Sequence, residues 1–450
     1  MKIVTGDQMR RLEQACVPLG VSLDDLMERA GLEVARCVRS LLAGVAGQRI
    51  LVLVGPGNNG ADGFVAARHL QRWGAEVVTH VVTRRPETDP KRELALAEGV
   101  LVRHTIHQDG VEQLRDDLSR CAMVIDAVLG TGQARPMEGP LQQAMLALAD
   151  ARARRPSMSV LALDLPSGLD ADTGHADSAC PKADVTAALG FPKTGHFSFP
   201  GAEQVGRLEV LEIGIPKRVV EDMAGELRLE LMTAPAVSQC LPQRPLDSHK
   251  GTFGHALVMA GSRRFVGAAF LASQAAARVG AGLVTVAAPR GIYPMLASKL
   301  SEVIHLPLPE DEEGRLCAAS VDQCLDQLAR YGAIGVGCGM GRSEGGTALV
   351  RRVLEASKEH AAPLLIDADG LNNLASILRW WEEAPQNMVV TPHPGEMSTL
   401  TGLTTAGVQE RRVDVAREYA SRSLMSFCIR RAPSTAKPMN SSASSSSRPP

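Results

Sequence analysis

The sequence has little net charge, no long apolar run and no paired cysteines. Its 450 residues carry a formal charge of -2, so we predict neither nucleic acid nor a membrane as a partner. No apolar run approaches the ~20 residues that cross a bilayer, and the amino terminus lacks the apolar stretch of a signal peptide. The nine cysteines are scattered without a C-x-x-C pair, so no disulfide framework is expected. Together these absences predict a cytoplasmic protein with a small-molecule ligand.

The length predicts two domains, because a single core stops growing at roughly 250 to 300 residues. A hydrophobic content of 45% and a charged content of 22% are ordinary for globular chains. A segment of weaker pattern, residues 217–245, predicts a linker between a first domain (1–216) and a second domain (246–420). Residues 421–450 close in a Ser/Pro tract with little apolar content, which predicts a disordered tail.

Short apolar runs rich in β-branched residues alternate with helix-like segments in both domains. The helix-like segments include 63–72 and 141–149 in the first domain and 267–279 in the second. The predicted strands are 50–54, 77–82, 123–125 and 160–163 in the first domain, and 256–260, 283–287, 333–336, 364–366 and 388–390 in the second. This alternation predicts two α/β domains, each with a parallel sheet covered by helices.

The loop at residues 55–63 reads G-P-G-N-N-G-A-D-G and lies between a predicted strand and a predicted helix. Its glycines allow backbone N–H groups to approach an anion, and the helix amino terminus adds a partial positive charge. We therefore predict a phosphate-binding loop. The spacing matches neither the G-x-G-x-x-G fingerprint nor the P-loop, so a plain turn is the alternative interpretation.

Two further predicted strands end in a carboxylate that is followed by a glycine-containing loop. Asp126 begins the string D-A-V-L-G-T-G, and Asp164 begins the string D-L-P-S-G-L-D. Asp is common where strands turn, so each motif alone says little. Because the carboxyl ends of parallel strands meet at one edge of a sheet, we expect the three loops to form a single crevice.

In this order, the three motifs resemble the epimerase domain of the bifunctional NAD(P)H-hydrate repair enzymes, which has a Rossmann-like three-layer α/β fold. The resemblance covers residues 1–216. It implies a potassium ion held by Asn59, Asp126 and Ser167, and a catalytic Asp164 that faces the nicotinamide. The residues that it implies in binding the hydrated nucleotide are Asn58, Asn59, Gly60, Ala61, Asp62, Gly130, Thr131, Gly132, Gln133, Ala134, Arg135, Pro136 and Asp164.

The implied substrate is suited to catalysis by a carboxyl group. The hydrate carries a hydroxyl at C6 beside a ring nitrogen, so C6 is a hemiaminal carbon that can invert by loss and return of the oxygen. Asp164 can carry the proton in both directions as general acid and base, which typically contributes about 10²- to 10⁴-fold. Its alternative role is to cap the turn that follows. Potassium is a hard cation, and an amide, a carboxylate and a hydroxyl supply the oxygen ligands that it needs.

A second set of motifs lies in residues 246–420 and comprises H-K-G-T-F-G, G-C-G-M-G, D-A-D-G-L-N and T-P-H-P-G-E. These motifs resemble the ADP-dependent NAD(P)H-hydrate dehydratases, whose fold is ribokinase-like. The resemblance implies that Ala268, Gly339 and His393 line the hydrate pocket. It also implies ADP and Mg²⁺ as cofactors of this domain.

Two elements of that family are not found in the sequence: the K-G-x-x-T stretch for the nucleotide, and the late G-T-G-D loop whose Asp acts as base. We therefore expect an incomplete ribokinase-like domain that has lost ADP-dependent dehydration. The predicted function is nicotinamide nucleotide repair by epimerisation of R- and S-NAD(P)H hydrate. The alternatives are a non-catalytic nucleotide-binding interaction protein and a small-molecule kinase of ribokinase type. The oligomeric state, including a homo-oligomer, stays open.

Overall fold

The computed structural model describes residues 1–86, 88–105, 108–132, 136–325, 328–360, 362–423 and 426–427. The chain divides into two compact units, Met1–Pro242 and Gln243–Pro450. This division falls inside the segment that the sequence predicts as a linker. No helix in the described ranges is long and apolar enough to cross a membrane.

The first unit is built on a sheet of seven parallel strands. In chain order, the strands of this unit are β1 (Lys2–Ile3), β2 (Arg49–Val54), β3 (Glu76–Val81), β4 (Leu101–His104), β5 (Met123–Ala127), β6 (Ser159–Leu163), β7 (Val185–Leu189), β8 (Arg207–Leu211) and β9 (Leu229–Glu230). The sheet has the order β4-β3-β2-β5-β6-β7-β8, whereas β1 and β9 form a separate antiparallel pair. The chain winds outward from β2 to β4 and then returns to β5, so the winding reverses between β2 and β5.

Helices cover both faces of this sheet, because alternate residues of a strand point to opposite sides. The helices are α1 (Gly6–Cys16), α2 (Leu23–Leu41), α3 (Asn58–Arg72), α4 (Pro90–Ala97), α5 (Gln108–Arg120), α6 (Gly139–Arg154), α7 (Lys217–Asp222) and α8 (Ala234–Cys240). Ile50 of β2 packs in one core with Val34 of α2 and Phe64 of α3. The next residue, Leu51, packs on the other face with Leu148 of α6. The three-layer α/β arrangement predicted from the sequence is confirmed.

The sequence-based prediction omits three strands of the first sheet: β4, β7 and β8. Both β4 and β8 are edge strands with mostly half-exposed residues, so they lack the continuous apolar run of an inner strand. β7 is buried throughout, but its sequence V-T-A-A-L contains alanines, which have little preference for strands. Helix α3 begins at Asn58 rather than at Gly63, because its first turn consists of polar and glycine residues that show no apolar periodicity.

The segment that the sequence predicts as a linker folds in part with the first unit. It contains α7, β9 and α8. Val219 of α7 and Leu227 are buried in the same core as β2. Strand β9 pairs with β1, and Glu230 of β9 forms an ion pair with Lys2. The end of this unit is therefore packed against its beginning.

The second unit also contains seven parallel strands, in the order β12-β11-β10-β13-β14-β15-β16. In chain order, these strands are β10 (His255–Met259), β11 (Leu283–Pro289), β12 (Ile304–Leu308), β13 (Ala333–Val336), β14 (Leu364–Ile366), β15 (Met388–Val390) and β16 (Ser426–Phe427). Its helices are α9 (Val266–Val279), α10 (Tyr293–Ala297), α11 (Ala318–Leu325), α12 (Glu344–His360), α13 (Asp369–Leu374), α14 (Trp380–Glu383), α15 (Pro394–Thr401), α16 (Thr405–Glu410) and α17 (Arg412–Ser423). The winding of this sheet reverses between β10 and β13.

One face of the second sheet is only partly covered. Leu364 and Ile366 of β14 point into a core that α12 and α13 help to form. Leu365 lies between them and is 43% exposed, although β14 pairs with a strand on each side. Its neighbours in register are Gly335 of β13 and Val389 of β15. Helix α9 contacts β10 and β11. On the part of the sheet formed by β13, β14 and β15, the apolar side chain of Leu365 is exposed to solvent.

The predicted disordered tail starts at residue 421, inside an ordered part of the second unit. Helix α17 continues to Ser423, and β16 pairs with β15 so that Val390 lies opposite Phe427. The start of the predicted tail therefore belongs to helix α17 and to the sheet. Residues 428–450, which include the Ser/Pro tract, lie outside the described residues.

Candidate functional site

The candidate site lies at the carboxyl ends of β2, β5, β6 and β7, where the winding of the first sheet reverses. Open α/β sheets bind ligands at this point, because the loops on its two sides lead to opposite faces and leave a crevice between them. The glycine loop at residues 55–63 follows β2, the loop with Gly130 follows β5, and the loop with Ser167 follows β6. The three motifs identified in the sequence therefore meet at one edge of the sheet.

Helix α3 begins within the glycine loop. Gly57 precedes the helix and provides no side-chain cap. The N–H of Ala61 donates to the carbonyl of Gly57 at 3.3 Å, which is the first hydrogen bond of the helix. The N–H groups of Asn58, Asn59 and Gly60 come before it and have no acceptor within the helix. These donors and the positive end of the helix dipole suit a phosphate group.

A hydrogen-bonded group joins the three residues implied in binding potassium. Ser167 donates its backbone N–H to Oδ2 of Asp126 at 2.8 Å and its hydroxyl to Oδ1 at 2.6 Å. The Ser167 Oγ accepts the N–H of Leu129 at 2.9 Å, and Asn59 Nδ2 donates to the Leu129 carbonyl at 3.1 Å. All three side chains belong to buried residues. The structure thus brings Asn59, Asp126 and Ser167 together around one residue of the loop after β5.

Asp126 carries a completely buried carboxyl group. Burial raises the pKa of this group, and hydrogen bonds from Ser167 and from the N–H of Val128 oppose the rise. No positively charged side chain in the described part of the chain contributes to the shift. The charged form of Asp126 is therefore disfavoured unless a cation lies beside it, and the surrounding oxygen atoms fit a hard cation.

Asp164 lies directly after β6 with a φ of +66°, which residues other than glycine rarely adopt. Its Oδ1 forms an ion pair with Lys193 Nζ and accepts the N–H of Leu189 at 3.0 Å. The ammonium group of Lys193 also donates to the carbonyl of Leu189 at 3.0 Å, and Lys193 is completely buried. The end of β7 therefore holds both members of the ion pair in place.

His196 links the backbones of the two ion-paired residues. Its Nδ1 accepts the N–H of Lys193 at 3.0 Å, so the ring proton is on Nε2, which donates to the carbonyl of Asp164 at 2.8 Å. Burial, assisted by the charge of Lys193, lowers the pKa of His196 to about 4. The ring is therefore neutral near pH 7, which is the state that this pair of hydrogen bonds requires.

Two further carboxyl groups share this electrostatic environment. Asp62 of α3 is buried, and burial raises its pKa well above the ordinary value, with further increases from the charges of Asp164 and Glu13. Burial also raises the pKa of Glu13 on α1, with Lys193 opposing the rise and Asp164 adding to it. One ammonium group therefore interacts with three carboxyl groups, and Asp62 stays protonated to a higher pH than an exposed aspartate does.

The other residues implied in binding the hydrate surround the same crevice. Gly130 adjoins Asn59, since a Cβ on Gly130 would lie 3.3 Å from Oδ1 of Asn59. Thr131 and Gly132 line a cavity of about 360 Å³ that also borders the first turn of α1. Pro136 is exposed. Three of the implied residues lie outside the described ranges: Gln133, Ala134 and Arg135.

Lys193, His196 and Glu13 are not predicted from the sequence. The first two belong to the string F-P-K-T-G-H, which directly follows β7, a strand that the apolar pattern does not predict. Recognising β7 would have placed this lysine at the same sheet edge as Asp164. Glu13 lies on α1, and nothing in the pattern of that helix indicates that one of its acidic residues approaches the end of the sheet.

The second unit has a comparable crevice where its winding reverses. Gly339 follows β13 and adjoins Ala268 of α9, since a Cβ on Gly339 would lie 2.6 Å from the Cβ of Ala268. Ser262, which follows β10, donates its hydroxyl to the carbonyl of Gly339 at 2.8 Å. His393 precedes α15 and accepts the N–H of Gly395 at 3.0 Å. The structure thus brings Ala268 and Gly339 together and places His393 at the same edge, beyond β14.

Both units match known protein families. Residues 23–195 match the family described as YjeF-related protein N-terminus, and residues 256–426 match the family described as NAD(P)H-hydrate dehydratase. The bifunctional NAD(P)H-hydrate repair enzyme Nnr of Moorella thermoacetica is 37% identical over 426 residues, which cover 93% of this chain and 78% of that protein. The enzyme of the same name from Thermofilum pendens is 34% identical over 427 residues, which cover 94% and 78%. A solved structure of ADP/ATP-dependent NAD(P)H-hydrate dehydratase from Bacillus subtilis, co-crystallised with ATP/Mg²⁺, is 29% identical over 45% of this chain and 67% of that chain, with a TM-score of 0.37.

Two α/β units, each with glycine-containing loops where the winding of its sheet reverses, form a two-domain enzyme of the nucleotide-binding type. The chain belongs to the family of bifunctional NAD(P)H-hydrate repair enzymes, since it is 37% identical to the Moorella protein and covers 78% of its length. The resemblance inferred from the motifs is confirmed for both domains.

The low pKa of His196 predicts a dependence of stability on pH. Its folded-state pKa of about 4 lies below the ordinary value of 6.5. The contribution of neutral His196 is therefore complete above about pH 6.5 and is lost as the pH falls toward 4, by at most about 3 kcal/mol. We expect the His196→Gln variant to show a smaller decrease in the free energy of unfolding between pH 7 and pH 5, measured by urea denaturation. The exposed His175→Gln serves as control and should keep the slope of the unaltered protein; an unchanged slope for His196→Gln would contradict the assignment.

Proposed function

We propose that the first unit interconverts the R and S epimers of NAD(P)H hydrate at C6. The observation that carries this proposal is the buried ion pair of Asp164 and Lys193 at the sheet edge where the glycine loop and the Asn59, Asp126 and Ser167 group meet. The relatives from Moorella and Thermofilum are named as bifunctional NAD(P)H-hydrate repair enzymes, which supports the substrate class. The glycine loop and the start of α3 would bind the pyrophosphate, and the nicotinamide would lie at Asp164.

The chemistry of inversion needs one proton donor and one proton acceptor at the C6 oxygen. When the hydroxyl is protonated, it leaves as water while the N1 lone pair forms a C6=N1 iminium. Water then adds to the opposite face and gives up a proton, which restores the atom balance with the configuration reversed. Within the described part of the chain, Oδ2 of Asp164 accepts no hydrogen bond, whereas Oδ1 accepts two. We assign Oδ2 as the atom that exchanges the proton with the substrate oxygen.

The surroundings of Asp164 support this role. The ammonium group of Lys193 stabilises the carboxylate form, which can accept a proton from the incoming water. Asp62 is the second carboxyl group close enough to interact electrostatically with Asp164, and burial favours its protonated form. In this proposal Asp62 supplies a proton when Asp164 begins the cycle as a carboxylate.

Replacing Asp164 tests the proposed epimerase. The Asp164→Asn variant keeps the shape of the side chain but cannot accept the proton, so kcat should fall by at least about tenfold with little change in KM. The measurement is chromatography of an R-enriched NADH hydrate sample over time, corrected for the spontaneous reaction. Asp150→Asn, on the exposed side of α6, is the matched control and should retain full activity. Unchanged turnover of Asp164→Asn would assign proton transfer to another group, and an inactive unaltered protein would favour a non-catalytic nucleotide-binding protein.

We further propose that Asn59, Asp126 and Ser167 hold a potassium ion. The proposal is supported by the buried carboxyl group of Asp126, which has no cationic side chain to stabilise its charge among the described residues. The hydroxyl oxygen of Ser167 lies beside this carboxyl group. Asn59, whose amide nitrogen donates to the carbonyl of Leu129, would supply an amide oxygen as a further ligand. A bound potassium ion would offset the cost of the buried charge and fix the loops after β2, β5 and β6 around the substrate.

Potassium should raise the melting temperature of the first unit, because an ion that binds only the folded state stabilises it in proportion to the logarithm of its concentration. We expect a higher Tm in KCl than in choline chloride at equal ionic strength. The difference should decrease strongly in Ser167→Ala and in Asp126→Asn, while Ser119→Ala, at an exposed position of α5, should keep it. Equal melting temperatures of the unaltered protein in the two salts would exclude a potassium site of this kind.

We propose that the second unit of this chain does not catalyse ADP-dependent dehydration. Residues 246–450 contain neither the K-G-x-x-T nor the G-T-G-D element that the family resemblance requires. Among the described residues, Leu365 of the inner strand β14 is 43% exposed. Ala268 and Gly339, which the resemblance assigns to the hydrate pocket, nevertheless adjoin each other. A sugar or vitamin kinase of the same fold would need the same missing Asp, so this alternative is disfavoured for the same reason.

The assay for the second unit uses the whole chain with S-NADH hydrate, ADP and Mg²⁺, and follows the absorbance of NADH. We expect no ADP-dependent rate above the sample without protein, because phosphoryl transfer depends on positioned charge that the missing loop would supply. Epimerase activity of the same preparation shows that the first unit is folded. A complete dehydratase, such as the Bacillus subtilis enzyme, confirms that the substrate is competent. Any clear ADP-dependent rate from this chain would refute the proposal.

A further inference from the structure

Arg85 is a buried cation at the glycine loop that the proposed chemistry does not use. It lies between β3 and α4, and its side chain is 6% exposed. Its Nε donates to Oδ2 of Asp89 at 2.7 Å, and Asp89 in turn caps α4 by accepting the N–H of Arg92 at 3.2 Å. The guanidinium carbon lies 5.4 Å from the centre of the Phe64 ring on α3. The head group of Arg85 is therefore fixed by contacts with two helices.

The same guanidinium group contacts two carbonyls of the glycine loop. Nη1 of Arg85 donates to the carbonyl of Gly55, and to the carbonyl of Gly57 at 3.2 Å. It also fills the space beside Gly60, because a Cβ on Gly60 would lie 2.5 Å from Nη1. Glycine is thus required at position 60 to leave room for Arg85 and for the carbonyl of Gly55.

These two hydrogen bonds act together with the hydrogen bond from the Ala61 N–H to the Gly57 carbonyl, and the three contacts fix which side of the loop a ligand meets. In a trans peptide the carbonyl and the N–H point in opposite directions. Holding the carbonyl of Gly57 on Arg85 therefore turns the N–H of Asn58 the other way. The peptide between Gly55 and Pro56 has no N–H, so it can present only a carbonyl oxygen to an anion. Arg85 binds that oxygen and so holds a group that would repel an anion away from the ligand.

We propose that Arg85 is a positioning residue for substrate binding: it holds the carbonyls of Gly55 and Gly57 away from the pyrophosphate so that the N–H groups at the start of α3 face it. This inference rests on the proposed function of the first unit. Arg85 forms an ion pair with Asp89, so the pair adds no net charge, and its effect on an anion comes from the arrangement of the loop. The role therefore applies to ligands that carry a pyrophosphate and not to the nicotinamide end.

The test compares Arg85→Met with the matched control Arg84→Met, whose side chain is exposed. For NADH hydrate, Arg85→Met should raise KM by about 10- to 100-fold, while kcat changes little. This range is typical for the loss of hydrogen bonds that involve a charged group, here those from the guanidinium of Arg85 to the carbonyls of Gly55 and Gly57. For the hydrate of reduced nicotinamide riboside, which has no phosphate, kcat/KM should stay the same. Arg84→Met should match the unaltered protein with both substrates. An equal loss on both substrates would reduce Arg85 to a purely structural residue, and no loss on either would also refute the proposal.

A second variant covers the case in which Arg85→Met fails to fold because Asp89 is left without its partner. Arg85→Lys keeps the charge opposite Asp89 but loses the forked donors, so it should raise KM for NADH hydrate by a smaller factor and leave the riboside hydrate unaffected. Melting temperatures establish that each variant is folded. A Lys variant identical to the unaltered protein with NADH hydrate, beside an unfolded Met variant, would overturn the positioning role.

Calorimetry with ADP-ribose separates this inference from the epimerase proposal, since ADP-ribose carries the pyrophosphate but needs no turnover. If the unaltered protein does not epimerise NADH hydrate, the proposed function fails, yet binding of ADP-ribose still tests Arg85. The dissociation constant should rise at least about tenfold in Arg85→Met, and by a smaller factor in Arg85→Lys, relative to Arg84→Met. Any nucleotide site in the second unit is the same in all variants and cancels in this comparison. Equal dissociation constants, or no binding to the unaltered protein, would refute the positioning role.

Discussion

The buried ion pair of Asp164 and Lys193 is the interaction on which the arrangement of the first site depends. Removing two charges from water costs several kcal/mol per ion unless each one gains further polar contacts in the protein. Here the N–H and the carbonyl of Leu189 provide such contacts for the carboxylate and the ammonium respectively. The position of β7 in the sheet, next to β6, brings the two residues together. The ion pair therefore depends on the order of the strands in the sheet as well as on the charges of its two residues.

The neutral imidazole of His196 is as important for the geometry of the site as the two charges of the ion pair. His196 bridges the backbones of Lys193 and Asp164, which holds Asp164 in its unusual positive-φ conformation. A charged imidazole there would add a second positive charge beside Lys193 and lose its hydrogen-bond acceptor. The low pKa of His196 is therefore a requirement of the geometry. Strain and buried charge both occur where the substrate would bind, as is common at functional sites.

The loops that carry the site could be predicted from the sequence because their information is local. The glycine loop, Asp126, Asp164 and Ser167 each belong to a short string with a recognisable composition, and each follows or lies near a strand with a strong apolar pattern. The order of strands then brings the strings together, as the rule for open α/β sheets requires. The resemblance to a known family added the identity of the substrate, which no spacing of residues could have supplied.

The residues that sequence reasoning missed depend on contacts between distant elements. Lys193 and His196 follow an alanine-containing strand that local patterns do not identify, and Arg85 follows the more recognisable β3 without any distinctive motif. Their roles come from burial and from partners far away in the chain, such as Asp164 for Lys193 and Gly55 for Arg85. The same holds for the boundary of the first unit, since the pairing of β9 with β1 joins segments separated by most of its length.

The pairing of β1 with β9 has a consequence for how the first unit can be separated from the rest of the chain. A cut after residue 216 would leave β1 without its partner strand and would remove Val219 and Leu227 from the core. A cut at Pro242 keeps the pairing of β1 with β9 and the two buried side chains, because all of these residues then stay in the first unit. The extent of the first unit is consequently set by the pairing of its first and last strands and not by the position of a linker in the sequence. A protease that acts on the native chain should therefore spare β9 and cleave beyond Pro242.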